Sequence, residues 1–145
     1  MTGFRTRAAA LVVNNESILL VRHCRNGKSY FLLPGGGVEQ YETVEDAIIR
    51  EMAEETGYCA VPGRCVFITE SESPDGKRKI RQLVHLCEIS GKMGRSKDPI
   101  VAETLFMPLA DFEKALFYPN IKKEIISAIS NGFPDTPLSV KVTWE

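Results

Sequence analysis

The sequence predicts an α/β or α+β domain built around a sheet, and three observations carry the prediction. Short apolar runs of strand length recur along the chain, among them "AAALVV", "SILLV" and "QLVHLCEI". Helical periodicity occurs at two or three places among them. The length, 145 residues, suits one compact domain, 1–145, and no internal repeat, low-complexity run or linker divides it.

Residues 6–13 ("TRAAALVV") predict a first strand. Asn14 and Asn15 tolerate left-handed backbone angles and predict a tight turn after it. "SILLVRH" (17–23) returns as a second strand, and "CRNGKS" (24–29) reads as a loop. "YFLLPGGG" (30–37) is a short strand stopped by Pro34 and the glycines. A helix over 44–56 has Thr43 as N-cap, Asp46 three residues on, and Gly57 at the left-handed C-terminal position. "CVFITESES" (65–73) and "KIRQLVHLCEIS" (79–90) predict two strands joined by a hairpin around "PDGK", where Pro74 reads as a turn residue. "GKMGRSKDP" (91–99) reads as a mobile polar loop and "ETLFMPL" (103–109) as a strand. Helices are expected over 110–117 and 120–130. The second is opened by Asn120 and closed near Gly132, with Ile121, Ile125, Ile126 and Ile129 on one face. The tail, 133–145, reads equally as a final strand or an arm.

Hydrophobic residues make up 43% and charged residues 26%, the balance of a soluble globular chain and not of a disordered or membrane one. No apolar run approaches the length that crosses a bilayer. At the N-terminus the apolar part of "MTGFRTRAAALVV" is short and runs into a polar turn. It reads as a strand and not a signal peptide, so the expected location is cytoplasmic. Lys and Arg number 18 against 19 Asp and Glu, a net charge of −1, so no basic field gathers nucleic acid. Cys24, Cys59, Cys65 and Cys87 form no C-x-x-C pair, and reduced, mostly buried thiols are expected in place of a zinc site.

The helix over 44–56 breaks local rules. On a wheel of 3.6 residues per turn, Ile48, Ile49, Met52 and Ala53 share one broad side. Glu51, Glu54 and Glu55 gather on the neighbouring strip, beside Arg50. Like-charge pairs at these spacings cost about 0.2–0.5 kcal/mol each. Anions in a last turn oppose the helix dipole by about 0.3–1 kcal/mol. Arg50 can pair with Asp46 and Glu54 but cannot neutralise three carboxylates. Such a violation marks a functional site, and carboxylates without sulfur or imidazole suit a hard cation such as Mg²⁺ or Mn²⁺. A solvated acidic face is the alternative. The "PGGG" before the helix lets backbone approach a ligand. It is neither a phosphate-binding P-loop nor a dinucleotide fingerprint, and taken alone a turn also explains it.

Joined, these residues resemble the Nudix box: a Gly, five residues, a Glu, seven residues, then R-E-U-x-E-E-x-G-U with U bulky and apolar. Here Gly36 is followed by "GVEQY", Glu42, "TVEDAII", then Arg50, Glu51, Met52, Ala53, Glu54, Glu55, Thr56, Gly57 and Tyr58. Every charged and glycine position is filled, and Tyr58 stands where the family usually has an aliphatic residue. The box covers 36–58, and "ILLVRH" and "FMPLADF" resemble the family's flanking strands. The resemblance implies an α/β/α sandwich with a mixed β-sheet. It implies a MutT-like, metal-dependent pyrophosphohydrolase that uses Mg²⁺ or Mn²⁺ to cleave a nucleoside diphosphate linked to another moiety. The expected substrate is a nucleoside triphosphate or related small nucleotide, because no long N-terminal extension points to ADP-ribose. A non-catalytic nucleotide-binding or regulatory domain is the alternative, although such a domain is expected to lose box carboxylates.

Carried over by position, Glu51, Glu54 and Glu55 are implied metal ligands, joined by the Gly36 carbonyl. Arg50 is implied to orient the glutamates, and Glu42 to partner the helix start or Arg50. The general base varies in the family, and Glu55, Asp98 and Glu103 are the candidates here. Arg22 is a candidate grip for a terminal phosphate, with Gly35 and Gly36 against the substrate. "KRKIR" (77–81) reads as the exposed end of an edge strand, with a phosphate contact as the alternative. The expected partner is a small-molecule nucleotide, not a membrane or nucleic acid, and a homodimer is compatible with the chain.

Overall fold

A strand that is apolar on both faces must lie inside, and "RAAAL" sets the centre of the fold. The computed structural model describes residues 3–144. Residues 1, 2 and 145, the ends of the expected domain and tail, lie outside them. In β1 (Arg5–Leu11), Ala8 and Ala10 face one core with Ala47, Ile48 and Met52 of α1 (Val44–Thr56). Ala9 and Leu11 face a second core with Ile121, Ile125 and Ala128, the last two from α3 (Lys122–Asn131). The result is helix, sheet and helix, an α/β/α sandwich. Each fully buried side chain such as Ile48 or Met52 contributes about 1.5–3 kcal/mol.

The main sheet has five strands. From one edge they are β5 (Gly35–Gly37), β1, β7 (Lys79–Ser90), β6 (Cys59–Glu72) and β9 (Leu138–Lys141). It is mixed: β1 runs parallel to β7 and β6 to β9, while the other pairs are antiparallel. A second, antiparallel sheet surrounds β3 (Ser17–Arg25). On one side lie β2 (Val13–Asn14) and β4 (Lys28–Leu32), and on the other β8 (Val101–Pro108). A short α2 (Leu109–Phe112) follows β8. Among the described residues no helix is long and apolar enough to cross a membrane.

α1 forms where its caps place it. The Thr43 hydroxyl accepts from Asp46 N–H at 3.0 Å, the Asp46 carboxylate accepts from Thr43 N–H at 3.2 Å, and Gly57 closes the helix at φ 82°. Thr43→Ala should therefore cost about 1 kcal/mol, read as a lower urea midpoint at unchanged slope. The last turn carries two acids, Glu54 and Glu55, and no base. Its carbonyls are answered by loop 91–100, where Gly94 N–H reaches Thr56 O at 2.7 Å and Lys97 N–H reaches Glu54 O at 3.1 Å. The polar loop is thus tied to the helix end.

Several expectations are corrected. Residues 24–29 are a hairpin, not a loop: Asn26 and Gly27 both have positive φ and join Arg25 to Lys28 as a two-residue turn. The left-handed residues of the first turn are Asn15 and Glu16, while Asn14 stays in β2. The three glycines do not merely stop a strand, because they form β5 against β1. The expected helix over 110–117 is only four residues long. Phe31 N–H bonds Leu116 O at 2.8 Å and Tyr118 N–H bonds Phe31 O at 3.0 Å, drawing Phe117 into the core instead. Asn120 does not cap α3, whose N-cap is Ile121 without a side-chain bond. "KRKIR" leads into a central strand, not an edge. Arg81 pairs with Glu70 at 2.6 Å and lies over the Phe4 ring. The tail resolves as strand β9. The thiols are not mostly buried: Cys24 and Cys59 are exposed, near or at strand ends, and Cys65 and Cys87 are half-buried.

The wheel reading of α1 also shifts. Ile49 is 45% exposed and Ala53 is exposed, whereas Glu55 joins the buried face with Ala47, Ile48, Met52 and Thr56. That face rests on alanine and glycine strands, which leave room for carboxylates where bulky strands would not.

Candidate active site

An i,i+4 pair on a helix points the same way, and on α1 that direction takes Glu51 and Glu55 onto β5, which offers only backbone. Gly35 N–H donates to Glu55 Oε1 at 2.7 Å. A Cβ on Gly35 would lie 2.0 Å from Ala8 O and 2.8 Å from Ala9 Cα, so β5 can pair with β1 here only as glycine. A Cβ on Gly36 would lie 2.5 Å from both Cδ and Oε1 of Glu51. The first glycine serves the sheet and the second makes space for a carboxylate.

Arg50 organises the other side. Its Nε and Nη2 donate to the two oxygens of Glu42 at 2.8 and 3.0 Å. Nη2 also reaches Gly37 O at 3.0 Å, and Nη1 reaches Glu51 Oε1 at 2.7 Å. Glu54 Oε2 lies farther off at 3.6 Å. Hydrogen bonds from Arg50 and from the Glu39 N–H push the Glu42 carboxyl down to about 2. Glu42 in turn holds the Arg50 guanidinium firmly protonated.

Glu55 is only 4% exposed. Desolvation pushes its carboxyl up to about 8, against the Gly35 N–H, with the Glu51 charge adding to the rise. Desolvation also raises Glu51, although Arg50 opposes it. Among the described residues the three carboxylates do not converge as a ready cluster of metal ligands, because Arg50 holds Glu51 and approaches Glu54. The donor chemistry nevertheless fits a hard divalent cation: carboxylate oxygens over a glycine cradle, one of them desolvated with a single backbone donor.

A pH dependence follows. Below the ordinary carboxyl value of 4.5, Glu55 is protonated in both folded and unfolded chains. Between 4.5 and about 8 the unfolded chain ionises while the folded one keeps its proton, so metal-free stability falls as pH rises through this window. Melting in EDTA at pH 5 and pH 8 should show this fall, and Glu55→Gln should reduce it. Added Mg²⁺ should stabilise more at pH 8, where it displaces less proton.

The sequence profile of the NUDIX domain matches residues 4–129. The chain belongs to this family. An ADP-ribose pyrophosphatase of Methanocaldococcus jannaschii is 31% identical over 108 residues, which is 74% of this chain and 63% of that protein. A diphosphoinositol polyphosphate phosphohydrolase 2 of Mus musculus is 34% identical over 91 residues, 61% of this chain and 48% of that protein. The chain thus spans less than two thirds of the length of either. A NUDIX hydrolase structure from Nitrosomonas europaea superposes with a TM-score of 0.81 at 18% identity, covering 94% of both chains, and so shares the fold. Nudix hydrolases typically use a divalent metal.

Around the Nudix helix, the other sequence candidates fall in two places. Arg22 and Glu103 are cross-strand neighbours on β3 and β8 and pair at 3.1 Å, with Ser29 Oγ accepting from Arg22 at 2.9 Å. Asp98 stands in loop 91–100, where its charge acts on both Glu55 and His23. Sequence reasoning missed Arg7 and His23. Arg7 sits beside β5, opposite Gly37, and its charge reaches Glu51, Glu55 and His23. Burial lowers the His23 imidazole below its usual value, against the pull of Asp98. The available signal was strand alternation, which sends Arg7 to the same side of β1 as Ala9 and Leu11.

Proposed function

We propose that this chain is a pyrophosphohydrolase that uses Mg²⁺ or Mn²⁺ to cleave a nucleoside diphosphate linked to another moiety. The observation that carries the reading is the Glu51–Glu55 pair turned onto glycine backbone, with Glu55 desolvated against Gly35. Glu51, Glu54 and Glu55, with the Gly36 carbonyl, would hold the cation. When bound, it supplies charge neutralisation for the diphosphate and acidifies a water.

The remaining work falls to side chains. Arg50, fixed by Glu42 and Gly37 O, directs Glu51. Arg22 is anchored by Glu103 and Ser29 in a pose that keeps part of its guanidinium accessible to phosphate. Of the three candidate bases, Glu103 is ion-paired with Arg22, Glu55 is buried against Gly35 N–H, and Asp98 accepts from Ile100 N–H. We take Asp98 as the base because, among the described residues, it is the one neither ion-paired nor buried.

The two relatives are named for an ADP-ribose substrate and a diphosphoinositol polyphosphate. What those names share is a diphosphate. Our reading of the substrate is a nucleoside triphosphate or related small nucleotide. A panel of triphosphates, ADP-ribose, nucleotide sugars and dinucleoside polyphosphates tests it with Mg²⁺ or Mn²⁺. At least one member should be hydrolysed with kcat/KM above about 10⁴ M⁻¹s⁻¹, and none in EDTA. Binding without phosphate release across the panel would assign the chain to the non-catalytic alternative.

A further inference from the structure

A second feature lies beyond the carboxylates: a cleft of about 490 Å³ between the β3–β4 hairpin and the floor of the five-stranded sheet. Strand register lays its floor. Ala9, Val84 and Phe67 form an apolar row across β1, β7 and β6. Two residues along each strand the row becomes Arg7, Gln82 and Thr69. Arg25 and Lys28, the residues that flank the Asn26–Gly27 turn, line the cleft from the β3–β4 hairpin. Cations therefore reach the cleft from two elements, the sheet floor and the hairpin.

None of these three cations makes an ion pair among the described residues. Among the described residues no Asp or Glu lines the cleft, although acids slightly outnumber bases in the chain. Such segregation is unfavourable by itself and suits an anionic ligand. His23 also lines this wall, and its Nε2 is buried without a hydrogen-bond partner, the one such side-chain atom among the described residues. The Tyr30 and Tyr118 rings, 5.4 Å apart, stand beside Lys28, whose ammonium lies 3.4 Å from the Tyr118 hydroxyl.

A ligand that spans the cleft places one group near Arg7, within reach of the Glu51 and Glu55 charges, and another near Arg25 and Lys28. A neutral sugar would answer only the first. We propose that the hairpin cations Arg25 and Lys28 bind a second phosphate, so that the preferred nucleotide carries a phosphate monoester on its sugar in addition to the scissile diphosphate. This rests on the nucleotide reading of the carboxylate site.

Calorimetric binding tests it without turnover. The probes are adenosine 5′-monophosphate, adenosine 3′,5′-bisphosphate and adenosine 2′,5′-bisphosphate, with the guanosine set alongside. At least one bisphosphate should bind about tenfold more tightly than its monophosphate at low salt. The gain should shrink with added NaCl and fall below about twofold in an Arg25→Gln/Lys28→Gln variant. Bisphosphates that all bind within about twofold of the monophosphates would overturn the inference, and so would a gain that survives the double substitution. Because no hydrolysis is read, an inactive substrate panel would count against the enzymatic reading and leave this measurement to decide the cleft.

Discussion

Glu54→Gln should lower kcat/KM with Mg²⁺ by about 100-fold or more while leaving the fold intact. Glu54 is the clean test among the three carboxylates. Its side chain is 49% exposed, and its nearest cation, Arg50, stands 3.6 Å away and is already bonded to Glu42, Glu51 and Gly37. Removing its charge breaks no packing, so the melting temperature should move by less than about 2 °C. Glu55→Gln perturbs a buried group and Glu51→Gln disturbs the Arg50 network, so neither separates chemistry from stability as well. A Glu54→Gln enzyme that matches its parent at every Mg²⁺ concentration would remove Glu54 from the site.

Gly35→Ala and Gly36→Ala should fail in opposite ways although they are neighbours. At Gly35 the new methyl meets backbone, Ala8 O at 2.0 Å and Ala9 Cα at 2.8 Å, and neither can move without parting β5 from β1. The displaced strand also withdraws the Gly35 N–H from Glu55 and leaves a buried carboxylate without its donor. Together these should cost about 3 kcal/mol or more, or prevent folding. At Gly36 the three atoms nearest the methyl all belong to the Glu51 carboxylate, the far end of a flexible side chain. That variant should fold within about 1–2 kcal/mol of its parent yet lose Mg²⁺-dependent stabilisation and activity. Denaturation and Mg²⁺-shifted melting on the pair separate the two roles. A stable Gly35→Ala protein would refute the close approach of β5 to β1.

The sequence was informative where chemistry is local. Thr43, Asp46 and Gly57 bound α1 at the predicted residues because caps are decided within four positions. "NG" at 26–27 carried an equally local hairpin signal, and reading it as a loop missed the hairpin that lines the cleft. The spacing from Gly36 to Tyr58 was legible because a helix fixes which carboxylates share a turn. Side-chain exposure on α1 was less legible. Hydrophobicity favoured Ile49 and Ala53, whereas the face that packs is chosen by its glycine and alanine partners.

By itself, then, the sequence determined the α/β class, the caps of α1, the register of its acids and the family to which the chain belongs. Tertiary structure alone decided that Glu55 is buried, that Arg22 meets Glu103 across 81 residues of chain, and that Arg7, Arg25 and Lys28 line one cleft. The reason is physical. Capping and helical phase depend on neighbours along the chain, whereas desolvation and charge pairing depend on strands that register brings together from distant positions.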